Sequence, residues 1–298
     1  MDATFTLDKI GLPFINKIDK DDITNYFTEQ PNLLEIISKF MPNEATGLAY
    51  AVTCLIHDGI ENPEFHLQVT IPSGKASNII LPIITKPGEN PDFYVNWGDT
   101  IHPEYGSAIH SYPICAVTKT YNIRFFGLNI IGFGKQTSII DDFQKYLTSV
   151  KSFGNLGHTF TSLSYAFAWC VNDITLPEYL PDSVTDLSYM FYCCYNFNQS
   201  LNRWNTSKIT NMEGMFYWCL NFNKSLNNWD TSNVSNMAMM FYRCMCFRQS
   251  LRNWDISNVA NFRKIFLACI NFDDNCAKNY WIIPTSAIMD YTSFCYKG

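Results

Sequence analysis

Apolar residues in the second half of the chain recur at a fixed interval of 25 residues. Segments beginning at Phe197, Phe222 and Phe247 align without a gap. The shared apolar positions are Phe197/Phe222/Phe247, Leu201/Leu226/Leu251 and Trp204/Trp229/Trp254. They continue with Ile209/Val234/Val259, Met212/Met237/Phe262, Met215/Met240/Ile265 and Phe216/Phe241/Phe266. Polar residues fill the intervening positions. One such unit cannot bury its own apolar face, whereas stacked units bury a shared core. Upstream, Val184, Leu187, Met190, Phe191 and Cys194 occupy the same slots, and Leu163, Ala166, Phe167 and Cys170 do so with one residue fewer. Downstream, Phe272 and Cys276 begin another unit, which needs an insertion to bring Phe294 and Cys295 into place. Decay of this kind is expected of terminal units that cap a core.

Within a unit, Phe and Leu four apart predict a short strand. Asn205, Asp230 and Asp255, each followed by Thr-Ser or Ile-Ser, predict a turn capped by a side chain. The Met-x-x-Met-Phe run, as at Met212 to Phe216, predicts a helical turn with one buried face. Asp186, Asn211, Asn236 and Asn261 form a second polar ladder, suited to satisfying backbone groups at a buried bend. The expected fold class is mixed α/β: a solenoid of 25-residue coils over residues 135–298, capped at its ends.

The rest of the chain reads differently. Over residues 1–62, apolar positions such as Leu33, Leu34, Ile36, Ile37 and Phe40, bounded by Pro31 and Pro42, predict a small helical head. Residues 63–134 predict strands. Tyr121, Ile123 and Phe125 alternate with polar residues, and Trp97-Gly98-Asp99 reads as a strand end entering a tight turn.

The repeat pattern F-N-x-S-L-x-x-W-[DN]-T-S-x-V-x-N-M-x-x-M-F-x-x-C resembles the BspA-type leucine-rich repeat family, also called DUF285, over about Thr159 to Phe272. That family occurs in mycoplasmas, gut bacteria, some protists and large DNA viruses. The resemblance implies a right-handed, leucine-rich-repeat-like solenoid with roles in adhesion or protein binding; it does not imply a catalytic residue. The stretch Phe93 to Gly134 resembles a PKD-like β-sandwich. Val95, Trp97, Gly98 and Asp99 match its start, His110 and Tyr112 its middle, and Tyr121, Ile123, Phe125 and Gly127 its last strand. Thr100 stands where that pattern has a second glycine.

Charge divides the chain further. Residues 186–298 carry 10 Lys/Arg against 7 Asp/Glu, whereas residues 1–185 carry 11 against 20, within a total net charge of −6. Neither part has the basic stripe of a nucleic-acid binder. No apolar run approaches the ~18 residues of a membrane span, and the N-terminus lacks the pattern of a signal peptide. The expected location is therefore the cytoplasm or a virion rather than the secreted fraction.

Cys170, Cys194, Cys219, Cys244 and Cys269 recur in register with the repeat, so they are expected to serve as reduced core thiols. No CxxC or HExxH occurs, and no P-loop or GxSxG. His102 and His110, near Asp99 and Glu104, are read as turn and sandwich residues rather than as a metal or acid/base cluster. No catalytic residue, metal site or cofactor is expected.

The expected function is a non-enzymatic protein–protein interaction scaffold. Its candidate binding rows are Gln199, Lys224 and Gln249, then Asn202, Asn227 and Arg252, with Arg203 beside them. That surface is polar and mildly basic, suited to a protein partner with acidic patches. Alternatives are a structural component, such as a minor capsid protein, of a large DNA virus particle, and a cell-surface adhesin.

Overall fold

The structure is a computed structural model and describes residues 64–89, 93–99, 104–127, 129–137, 140–154, 156, 158–272 and 281–290. The expected helical head, residues 1–62, lies outside the described residues, as does His102.

The first described segment is antiparallel β. Strands β1 (Phe65–Ile71), β4 (Phe93–Asn96), β5 (Glu104–Tyr105), β7 (Lys119–Gly127) and β9 (Leu147–Phe153) form one sheet in the order β5-β4-β7-β1-β9. Two smaller sheets pair β2 (Ser77–Ile80) with β6 (Ile109–Tyr112), and β3 (Ile83–Thr85) with β8 (Ile130–Phe133). The alternation seen in sequence sets the faces: Phe65, Leu67, Val69 and Ile71 of β1 are buried, as are Tyr121, Ile123 and Phe125 of β7. The two strands pair in register, Phe65 opposite Phe125 and Val69 opposite Tyr121. Gly98 enters the turn after β4 with φ +82°, and a Cβ there would lie 2.6 Å from the Asn122 carbonyl oxygen. Only glycine fits both constraints. The sheet closes with β9, which lies beyond Gly134 in the stretch assigned from sequence to the repeats.

The sheets hand over directly to the repeats. Gly132 of β8 bridges Ser162 in parallel, and Ser149 of β9 bridges Thr175. Phe153 meets Phe167 and Trp204 at ring-centroid distances of 6.4 and 6.0 Å. The core is one continuous cluster running from Phe65 to Trp281.

Each repeat joins the next through single parallel bridges, Ser162 to Asp186, then Asn211, Asn236, Asn261 and Ile288. Around each bridge the hydrogen bonds follow an alternating rule. The N–H groups of Leu187, Tyr189, Phe191 and Cys193 donate to the carbonyls of Asn211, Glu213, Met215 and Tyr217 in the following repeat. Those of Met190, Tyr192 and Cys194 turn back onto Leu187, Tyr189 and Phe191. The N–H of Ser188 is satisfied by the Asp186 side chain at 2.9 Å. Asn211, Asn236 and Asn261 serve Glu213, Ala238 and Arg263 likewise. This is the polar ladder expected at the bend, and it completes the backbone pairing there.

The indole and thiol side chains bond in the opposite sense. The indole Nε1 of Trp229, Trp254 and Trp281 donates to Leu201, Leu226 and Leu251 of the preceding repeat at 2.9–3.1 Å. The thiols of Cys194, Cys219 and Cys244 donate to Phe167, Phe191 and Phe216 at 2.8–3.0 Å. Phe216 and Phe241 stack at 5.7 Å, and Trp229 and Trp254 at 6.3 Å with rings 2° apart.

The mixed α/β, leucine-rich-repeat-like right-handed solenoid is corrected by these observations. Among the described residues there is one helix, α1 (Asp142–Tyr146), capped by Asp141. The Met-x-x-Met-Phe run does not form a helical turn, because two backbone positions per repeat take positive φ. These are Tyr189 and Cys193 at 54° and 59°, Gly214 and Trp218 at 56° and 62°, and Met239 and Arg243 at 55° and 59°. Left-handed residues break helix continuation. The Phe-x-x-x-Leu segment, expected as a strand, contains no strand either; among the described residues the bridges between repeats fall on the Asp/Asn ladder and on Ser162 and Ile288 at its ends.

Candidate protein-binding face

The positive-φ positions have a consequence for the surface. A bulky residue in the left-handed region is strained, and here the strain is held by forward hydrogen bonds: Tyr165 to Ser188, Trp169 to Tyr192, Tyr189 to Glu213 and Trp218 to Tyr242. The result is an aromatic face along the repeats. Tyr165 stacks on Tyr189 at 4.8 Å, Tyr192 on Tyr217 at 4.9 Å, and Tyr217 on Tyr242 at 4.5 Å with rings 3° apart. Trp169 stands nearly perpendicular to Tyr192 at 5.6 Å, and Tyr189 is tilted 68° to Tyr192. All these rings are partly solvent-exposed.

An open groove of about 560 Å³ runs along this face, lined by Tyr165, Trp169, Tyr189, Tyr192, Tyr217 and Met239 with Gln136 and Thr137. The Trp169 Nε1 donates to the Thr137 carbonyl at 2.9 Å, which fixes the indole against the segment after β8. Glu213 accepts the Tyr189 hydroxyl at 2.5 Å and the Asn236 Nδ2 at 2.8 Å. Burial, then the Glu213 hydrogen bond and charge, push the Tyr189 hydroxyl up; burial and the same carboxylate raise Tyr165. Burial chiefly raises Tyr192 to about 12. These hydroxyls are neutral donors and acceptors at neutral pH.

Residues 161–281 match the DUF285 family model, described as a Mycoplasma protein of unknown function. The repeats are thus similar to that family over this stretch. No curated protein and no solved structure matches the chain.

The polar rows singled out from sequence lie elsewhere and are partly engaged. Gln199 clamps the previous unit, accepting from the Leu176 N–H at 2.6 Å and donating to the Leu176 carbonyl at 2.9 Å. Gln249 donates to the carbonyl and side-chain oxygens of Asn223. Asn202 accepts from the Asn228 N–H at 3.2 Å, and Arg203 pairs with Glu178. Lys224 and Asn227 are half-buried and Arg252 is exposed. The aromatic face was legible in one respect: Tyr192, Tyr217 and Tyr242 each follow the repeated core Phe. Reading only the apolar core slots passed over them.

A polar cluster also forms beside β4. The His110 Nε2 lies 2.9 Å from Asp99 Oδ2, and its Nδ1 lies 3.4 Å from Glu104 Oε1. Its ring stacks on Trp97 at 5.0 Å, and the Trp97 Nε1 donates to Glu104 at 3.1 Å. The Tyr112 hydroxyl donates to the Trp97 carbonyl at 2.6 Å. Every member bonds to another member or to backbone at the strand end, so the cluster ties β4, β5 and β6 together. Among the described residues no group of three His, Cys, Asp or Glu side chains is placed to hold a metal ion, and no helix is long and apolar enough to cross a membrane.

Proposed function

We propose that the protein is a non-catalytic protein-interaction scaffold and that its binding surface is the aromatic face of the repeats. The observation that carries this reading is the partly exposed run Tyr165, Trp169, Tyr189, Tyr192 and Tyr217 along one open groove, with Trp218 partly exposed beside Tyr217 in sequence. Tyr, Trp, Met and Arg are the side chains enriched at protein interfaces and at their energetic hot spots. The rings are held rigid by stacking and by the backbone ladder, so little conformational entropy remains to be lost on binding. The polar rows at Gln199, Lys224 and Gln249 form the rim of a second, weaker surface.

The test is capture of partners from the native source by the full chain and by a Trp169→Ala/Trp218→Ala variant, with thermal unfolding confirming that the variant is folded. Loss of specific partners from the variant supports the aromatic face; unchanged capture moves the binding surface to the polar rows. A structural role in a virus particle and a cell-surface adhesin are two settings for the same surface, told apart by copurification with particles or recovery from the cell surface.

A further inference from the structure

Resting on the interaction reading above, we propose that the aromatic groove recognises a cationic side chain, an arginine guanidinium in the first place, on an extended segment of the partner. Three observations lead there. First, ring planes meet at steep angles around the groove, with Trp169 at 74° to Tyr192, Tyr189 at 68° and Tyr165 at 56° to the same ring. Angled aromatic walls present negative ring faces to a cation. Second, the nearby charge is negative. Glu213 is bonded to the Tyr189 hydroxyl and acts on Tyr165, and among the described residues no Lys or Arg lines the groove.

Third, the protein shows the interaction within its own structure. The Arg243 guanidinium lies 4.6 Å from the Trp218 ring centroid and 5.9 Å from that of Tyr242. Arg243 and Trp218 hold corresponding places in consecutive repeats, both in the left-handed region at φ 59° and 62°. Trp169 is followed in the same way by Cys193, also at φ 59°. Where Trp218 receives the protein's own guanidinium, Trp169 is followed by a side chain too short to reach across it. A partner's arginine takes, over Trp169, the position that Arg243 holds over Trp218 two repeats further along. Guanidinium is favoured over ammonium because it is planar and weakly hydrated and stacks on rings.

The probe is a set of three short synthetic peptides of equal length, alternating glycine with arginine, serine or glutamate, titrated calorimetrically into the full-length protein at low ionic strength. The arginine peptide is expected to bind and the other two not to. Trp169→Ala should weaken binding about tenfold, in the range of a partly desolvated cation–π contact, and Glu213→Gln several-fold. Cys193→Arg should occupy the groove with an internal guanidinium and abolish binding while the protein stays folded by near-ultraviolet circular dichroism. Asp182→Asn, an exposed acid, controls for general attraction to a chain of net charge −6 and should change nothing. Binding that survives both Trp169→Ala and Cys193→Arg overturns the proposal. Equal binding of the three peptides overturns the cationic specificity and leaves the interaction reading standing. Absence of binding by all three also overturns it, while the partner-capture experiment judges the interaction reading separately.

Discussion

The ring of Tyr189 occupies the space beside Gly214 in the next repeat, so closely that a Cβ on Gly214 would lie 2.3 Å from its Cε1. The corresponding positions in the two repeats that follow are Met239 and Lys264, which carry side chains at the same positive φ. Gly214 is therefore required by the tyrosine as much as by the backbone. Gly214→Ala should destabilise by about 1–3 kcal/mol, combining left-handed strain with a clash, as measured by the urea midpoint. It should also displace Tyr189 from Glu213. An unchanged midpoint would show that the Tyr189 ring yields freely.

Core and rim should separate cleanly within one repeat. Leu226 is fully buried, and Leu226→Ala should cost about 2–5 kcal/mol. Lys224→Ala, two residues away and half-buried, should cost less than about 0.5 kcal/mol. Equal losses in denaturant titration would contradict the burial pattern.

Removing a backward hydrogen bond without removing the ring tests the indole ladder. Trp229→Phe should cost about 1–3 kcal/mol, because the Leu201 carbonyl loses its side-chain donor in a buried setting. Thermal unfolding compared with Trp229→Leu would separate the hydrogen bond from the loss of ring volume.

Alkaline pH should weaken the fold. Burial raises Cys193 from 9.0 to about 11 and Tyr192 from 10.0 to about 12. Between each unfolded and folded value the unfolded chain has released a proton that the native chain retains. Stability is therefore fully present below about pH 9 and falls as pH rises through 11 to 12. A denaturant midpoint independent of pH from 8 to about 11 would sink this linkage.

Thiol reactivity should follow exposure. Cys246 is exposed, whereas Cys170, Cys194, Cys219, Cys244 and Cys269 are buried free thiols. Burial pushes Cys170, Cys219 and Cys244 up, away from the reactive thiolate. Native alkylation followed by mass spectrometry should label Cys246 well before any of the five.

The strength of the periodicity explains what sequence could and could not deliver. Period and register were legible because Phe, Leu, Trp and Cys each stack on their own kind, and a repeated burial writes itself into composition. The Asp186–Asn211–Asn236–Asn261 ladder was legible because a polar residue recurring amid apolar ones must satisfy something. The backbone path was not. Met-x-x-Met-Phe has the spacing of a helix, and nothing in it betrays that Tyr189, Trp218 and Met239 take positive φ, since bulky side chains are a poor guide to left-handed backbone. That conformation is imposed by hydrogen bonds to the following repeat, a tertiary effect. The aromatic face went unread for the same reason, because the left-handed residues include Tyr165, Trp169 and Trp218, which are partly exposed.

The forward direction of the backbone bonds gives the repeats a grammar of length. Through the left-handed stretch, carbonyls of one unit meet N–H groups of the unit before it, and Phe133 of β8 already supplies such an N–H to Ser162; just ahead of that stretch the sense reverses, with Thr210 and Ser235 donating back to Thr185 and Thr210. Any internal unit thus presents the same set of donors and acceptors to each neighbour. A gain or loss of 25 residues leaves every junction intact, whereas a change of one residue inside the array puts the Trp, Cys, Phe and Asn columns out of step together. The departures from that period, 24 residues from Ser162 to Asp186 and 27 from Asn261 to Ile288, fall at the first and last bridges between the described repeats. Such an array can lengthen or shorten its aromatic face in whole units between genes, changing reach without redesigning any contact.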